Sequence, residues 1–95
     1  MFVVTVTFTL MPGTRDTFLP LMVENASTSL REEFGCQQFD VCLGDDPETV
    51  FLYEVYDDAA AFGAHLESAH FKTFDAAVAD MIKAKVVHQY TEVIR

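Results

Sequence analysis

The chain opens with a strict two-residue alternation. Phe2, Val4, Val6, Phe8 and Leu10 interleave with Val3, Thr5, Thr7 and Thr9, so a strand is predicted, and Pro12-Gly13 ends it. From there to Phe34 the period becomes helical. Leu19, Met22, Val23, Ala26, Leu30 and Phe34 fall on one stripe at about 100° per residue. If Thr14 caps this helix, Pro20 lies inside and kinks it. If Thr17 caps it, Pro20 falls in the tolerant first turn. Gly35 is placed to end the helix in a left-handed conformation.

Alternation resumes at Gln37, Phe39, Val41 and Leu43. Gly44-Asp45-Asp46-Pro47-Glu48 is a turn by composition, and Val50–Tyr56 forms the return strand of a hairpin. Asp57 or Asp58 caps a second helix carrying Phe62, His65, Leu66 and Ala69 at i, i+3, i+4 and i+7. Ser68 restarts it as a further helix from about Ala69 to Ile82, and Val86 to Ile94 reads as a fourth strand. The order β-α-β-β-α-β is that of an α+β, ferredoxin-like fold. Residues 1–95 are read as one domain, since two cores of half that length would each be marginal.

Two helices cover one face of a four-stranded sheet, yet the strands are apolar on both faces, the third most clearly. Hydrophobic residues make up 51% of the chain and charged ones 22%, an excess that a small monomer has difficulty hiding. A homodimer packed sheet on sheet accounts for both observations. The net charge of −9, with no Lys/Arg cluster, disfavours nucleic acid and anionic membranes as partners. No segment reaches the roughly 20 apolar residues of a membrane span, and the Thr-interleaved start lacks the basic flank of a signal peptide. Cys36 and Cys42 lie on one strand, roughly 20 Å apart, too far for a disulfide. Free thiols without an export signal point to the cytoplasm.

Few residues are candidates for chemistry. His65 lies on the inward stripe, either as a structural histidine or as a pocket base. Glu54 sits in the apolar run Val50–Tyr56, where an unpaired carboxylate is costly. It is exposed, ion-paired, or the partner that orients a histidine. His70 follows His65 by five positions, about 140° around a straight helix, which argues against a two-histidine metal site. Asn25 is a solvent-facing residue or a pocket hydrogen-bonder, and Phe39 and Tyr56 are packing groups or substrate walls. No nucleotide- or flavin-binding signature is present, so neither cofactor nor metal is expected.

Tyr53-Glu54-Val55-Tyr56-Asp57, Ala61-Phe62-Gly63-Ala64-His65-Leu66 and Ser68-Ala69-His70-Phe71 together resemble the signature of antibiotic biosynthesis monooxygenase domains. Glu33-Phe34-Gly35-Cys36 before Phe39-Asp40-Val41 resembles that family's link from first helix to second strand. The resemblance covers nearly the whole chain. The ordered set Asn25, Glu54, His65, His70 is similar to the branch holding quinol monooxygenases and the autoinducer-degrading protein.

The resemblance implies a dimeric α+β barrel with His65 and Glu54 as a catalytic pair, Glu54 holding the His65 ring. Asn25, His70, Phe39 and Tyr56 would surround a small-molecule substrate. The implied activity is cofactor-independent oxidation of a small quinol or phenol by dioxygen. The alternatives are isomerisation of a small phosphorylated ketone and non-catalytic binding of a small molecule by the dimer. Haem-degrading relatives set a tryptophan against the haem, and this chain has none. Pro20 departs from the family pattern beside Asn25.

Overall fold

The computed structural model describes residues 1–95. β1 (Phe2–Leu10) leads into α1 (Arg15–Glu32), followed by the hairpin β2 (Cys36–Leu43) and β3 (Thr49–Tyr56). Then come α2 (Ala59–Glu67), α3 (Ala69–Val78), a short 3-10 turn (Ala79–Met81) and β4 (Ile82–Tyr90). The sheet is antiparallel throughout, in the order β2-β3-β1-β4, the ferredoxin-like α+β arrangement.

The helices lie on the face presented by Phe2, Val4, Val6, Phe8 and Leu10, all buried. Val50, Leu52, Glu54 and Tyr56 extend that face on β3. Phe18, Met22, Phe74 and Val78 close it from α1 and α3, and Phe8, Phe18 and Phe74 meet edge to face. A bulge between Cys36 and Gln38 resets β2, turning Cys36 inward together with Phe39 in place of the expected Gln37.

Three expectations need correction. α1 is rotated relative to the predicted stripe. It buries Phe18, Met22, Asn25, Ala26 and Ser29, while Val23, Leu30 and the 99%-exposed Phe34 face out. An apolar-period test misses this because the buried arc carries the polar residues Asn25, Thr28 and Ser29. Ser29 Oγ donates to the Asn25 carbonyl at 2.8 Å. Thr14 occupies the N-cap position, so Pro20 lies inside the helix, where its ring faces solvent.

Gly35 does not adopt a left-handed conformation, because α1 ends through the extended Glu33. Gly35 is needed for space: a Cβ there would stand 2.5 Å from Ala61 Cβ on α2. Finally, α3 stops at Val78, and β4 spans Ile82–Tyr90 instead of 86–94. Lys83 and Lys85 masked its start, yet charges are ordinary on an edge strand.

Asp58 caps α2, accepting from the Ala61 N–H at 2.8 Å. Ser68 both ends α2 and caps α3, accepting from the Phe71 N–H at 3.2 Å. No helix is long and apolar enough to cross a membrane.

Candidate functional site

α1, α2 and α3 stand over the inner sheet face around a cavity of about 310 Å3, of whose 15 lining residues ten are hydrophobic. His65, Glu54, Asn25 and Phe39 all reach it. His65 is buried in the last turn of α2, its ring 5.1 Å from that of Phe71 and 5.8 Å from that of Phe39.

Its Nδ1 lies 2.7 Å from Glu33 Oε2 and 3.3 Å from Ser29 Oγ. A carboxylate only accepts, so Nδ1 carries the proton and Nε2 holds the lone pair. Nε2 has no hydrogen-bond partner in the protein. Burial pulls the His65 pKa below its ordinary value, and this outweighs the opposing pull of Glu33. The contact is therefore a neutral imidazole donating to a carboxylate, and the ring keeps a basic nitrogen at neutral pH.

Glu54 is equally buried, at the centre of β3 between Val4 of β1 and Phe39 of β2. Its carboxylate accepts from the Tyr56 hydroxyl at 2.6 Å. Burial raises its pKa to about 7, against the lowering effects of that hydrogen bond and of the Lys85 charge. Tyr56 is fully buried and its own pKa is raised, first by burial and then by Glu54.

The site thus differs from the expected arrangement in three ways. Glu33, not Glu54, holds the His65 ring. Tyr56 does not touch the cavity; it stands behind Glu54 and fixes that carboxylate. His70 is not at the rim of this cavity. It lines a second one of about 300 Å3, which shares Asn25, and approaches Glu33 Oε2 through Nε2 at 2.5 Å. Asn25 is buried rather than solvent-facing, and its Oδ1 has no partner.

The 140° argument against a shared metal site also fails. The break at Ser68 brings His70 and His65 to one carboxylate oxygen, and the three donor atoms lie within 4.8 Å of one another. Two histidines and a carboxylate are a donor set that zinc or iron accepts. Here both nitrogens meet Glu33 Oε2 at hydrogen-bond distance, so a cation would have to replace a proton in each contact.

Sequence reasoning missed Glu33, Lys85 and Gln89. Glu33 lies just beyond the helix end, where no periodicity marks it. Lys85 fell in a segment read as a connection, and Gln89 is an unremarkable polar residue on an edge strand.

The site is thus a buried histidine in an apolar cavity of a four-stranded α+β domain, its Nδ1 held on a carboxylate. The chain matches the antibiotic biosynthesis monooxygenase family over residues 1–77 and belongs to it. Among solved structures it is similar to a Nitrosomonas europaea protein provisionally named an antibiotic biosynthesis monooxygenase. That protein is 29% identical, with a TM-score of 0.93, covering 99% of this chain and 100% of that one. A second antibiotic biosynthesis monooxygenase is 24% identical, TM-score 0.90, over 99% and 100% of the two chains. A conserved protein from Methanosarcina mazei shares the fold at 21% identity, TM-score 0.89, over 97% and 92%. No curated protein matches the chain.

Proposed function

We propose that this protein is a monooxygenase that oxidises a small quinol-like or phenolic substrate with dioxygen, without flavin or metal. The observation that carries this reading is the free Nε2 of His65 inside an apolar cavity, with Nδ1 held on Glu33. His65 takes the phenolic proton, and the electron-rich quinolate transfers electrons to dioxygen, forming a bond from oxygen to a ring carbon. Glu54, whose raised pKa of about 7 keeps a protonated fraction at neutral pH, delivers its proton to the terminal peroxide oxygen. The Glu54 carboxylate then removes the hydrogen of that ring carbon as the O–O bond breaks, and the departing oxygen collects the His65 proton. Quinol and dioxygen become hydroxyquinone and water, and both residues return to their starting states. The apolar wall keeps bulk water from the peroxide.

The functional unit in this reading is a cytoplasmic homodimer, supported by the apolar residues left on the outer sheet face, among them Phe51, Val86 and Tyr90.

The test is an oxygen-electrode trace with hydroquinone and chelator-dialysed protein. Uptake above the autoxidation background, with hydroxyquinone as product, is expected. No uptake, together with proton exchange on a phosphorylated ketone, would replace the oxygenase by an isomerase using the same base.

A further inference from the structure

Lys85 is the one Lys or Arg on the cavity wall, in a chain with six such residues against fifteen acidic ones. It stands on β4 directly opposite Phe8 of β1, and its ammonium lies 5.6 Å from the Phe8 ring centre and 5.9 Å from that of Phe71. The chain's ion pairs use Arg31, His65, His70 and Lys72, so Lys85 has no acidic partner within ion-pairing distance. Its charge is nevertheless felt by Glu54 and His65. Gln89, four residues along the same strand and on the same face, lines the same cavity and offers amide donors. The cavity therefore has an apolar aromatic body, a proton-accepting nitrogen on α2, and on β4 an ammonium and an amide without a protein anion to satisfy them.

We propose that the cavity takes an aromatic acid, a quinol-like ring carrying a carboxylate, with the ring among Phe39, Phe71 and Leu52 and the carboxylate on Lys85 and Gln89. This rests on the reading of the cavity as a quinol site and narrows its substrate class. Lys85 is exposed, and its ammonium is free to pair with an anion while remaining over the Phe8 and Phe71 rings. Glu54 weakens this preference least below neutral pH, since burial raises its pKa to about 7 and leaves it mostly uncharged there. A phosphorylated ketone also brings an anion but has no ring for the phenylalanine walls.

The test is anaerobic titration calorimetry, in which no oxygenation occurs. The ligands are hydroquinone, gentisate (hydroquinone bearing a ring carboxylate) and dihydroxyacetone phosphate. Gentisate is expected to bind roughly tenfold tighter than hydroquinone, the worth of one charge-assisted hydrogen bond. That ratio falls to about one in Lys85→Met, returns in Lys85→Arg, and shrinks with added salt. Lys85 is exposed, so both variants should fold, which circular dichroism checks. Equal binding of gentisate and hydroquinone, a preference that survives Lys85→Met, tighter binding of dihydroxyacetone phosphate, or no binding at all would each overturn the proposal. Protein that prefers gentisate but consumes no oxygen would keep the acid site and remove the oxygenase. Protein that consumes oxygen without the preference would do the reverse.

Discussion

The Glu33–His65 contact fixes which nitrogen of the ring can act. Replacing His65 by Ala should lower oxygen uptake by on the order of a hundredfold or more, the usual loss for a general base. Glu33→Gln leaves the ring in place but no longer dictates its tautomer, so it should also slow turnover. If Glu33 works only through His65, adding Glu33→Gln to His65→Ala should cost nothing further. Initial rates of the four proteins decide this; two losses that add would give Glu33 a separate role. Glu54 makes a different prediction, about stability. Its folded pKa of about 7 lies above its unfolded value of 4.5, so between those values the folded state binds more protons. Its contribution is fully present below pH 4.5 and is lost as pH rises through 7. The loss is roughly 3 kcal/mol at about 1.4 kcal/mol per pKa unit. Glu54→Gln keeps an acceptor for Tyr56 without the charge. It should therefore gain stability on wild type as pH rises from 5 to 8, measured by urea unfolding. An unchanged difference across that range would mean that Glu54 stays ionised or is solvated.

Between elements, the close approach of α2 to the α1–β2 link positions His65 over Glu33. Gly35→Ala places a methyl group within 2.5 Å of Ala61 Cβ, so α2 must move. The expected cost is about 1–3 kcal/mol, as for overpacking elsewhere, together with slower turnover as His65 shifts from Glu33. Urea unfolding and rates on one preparation check both; an unaffected urea midpoint would show that the link yields freely. This contact was invisible in the sequence, where Gly35 reads as a helix terminator. The first three strands, the hairpin and the Ser68 break were legible because each has a local cause: alternation, a turn composition, a capping hydroxyl. The face of α1 was not, because its buried arc includes the polar residues Asn25 and Ser29, which an apolar period does not count. His65 and Glu54 stood out as polar residues in apolar settings. Glu33 reached His65 only through the tertiary fold, whereas Tyr56 stands two residues from Glu54 on the same face of β3. Lys85 was hidden by the misplaced start of β4.

At the scale of the whole molecule, the outer face of the sheet presents apolar side chains to solvent. Hydrophobic residues form 51% of the chain, yet only 22 of its 95 residues are buried. The strand registers place Phe51, Thr7 and Val86 in one row of that face, and Tyr53, Thr5 and His88 in the next. Phe51 is 36% exposed and Val86 49%. These rows cross three strands with no Asp, Glu, Lys or Arg among them, and the helices lie on the opposite face of the sheet. A second copy stacked on the face buries both sets of rows at once, and a stable interface of this kind removes roughly 800 Å2 from each partner. Because the contact is self-complementary, a substitution in one chain appears in both halves. Phe51→Asp combined with Val86→Asp would thus set four carboxylates within one apolar interface, where none has a counter-ion. Sedimentation at micromolar concentration should give twice the chain mass for the wild type and the chain mass for the double variant. Both side chains already face solvent in the single chain, so the variant should keep its fold, as circular dichroism will show. A wild-type protein sedimenting as a monomer, or a double variant that stays paired, would mean that another surface covers the sheet or that nothing does.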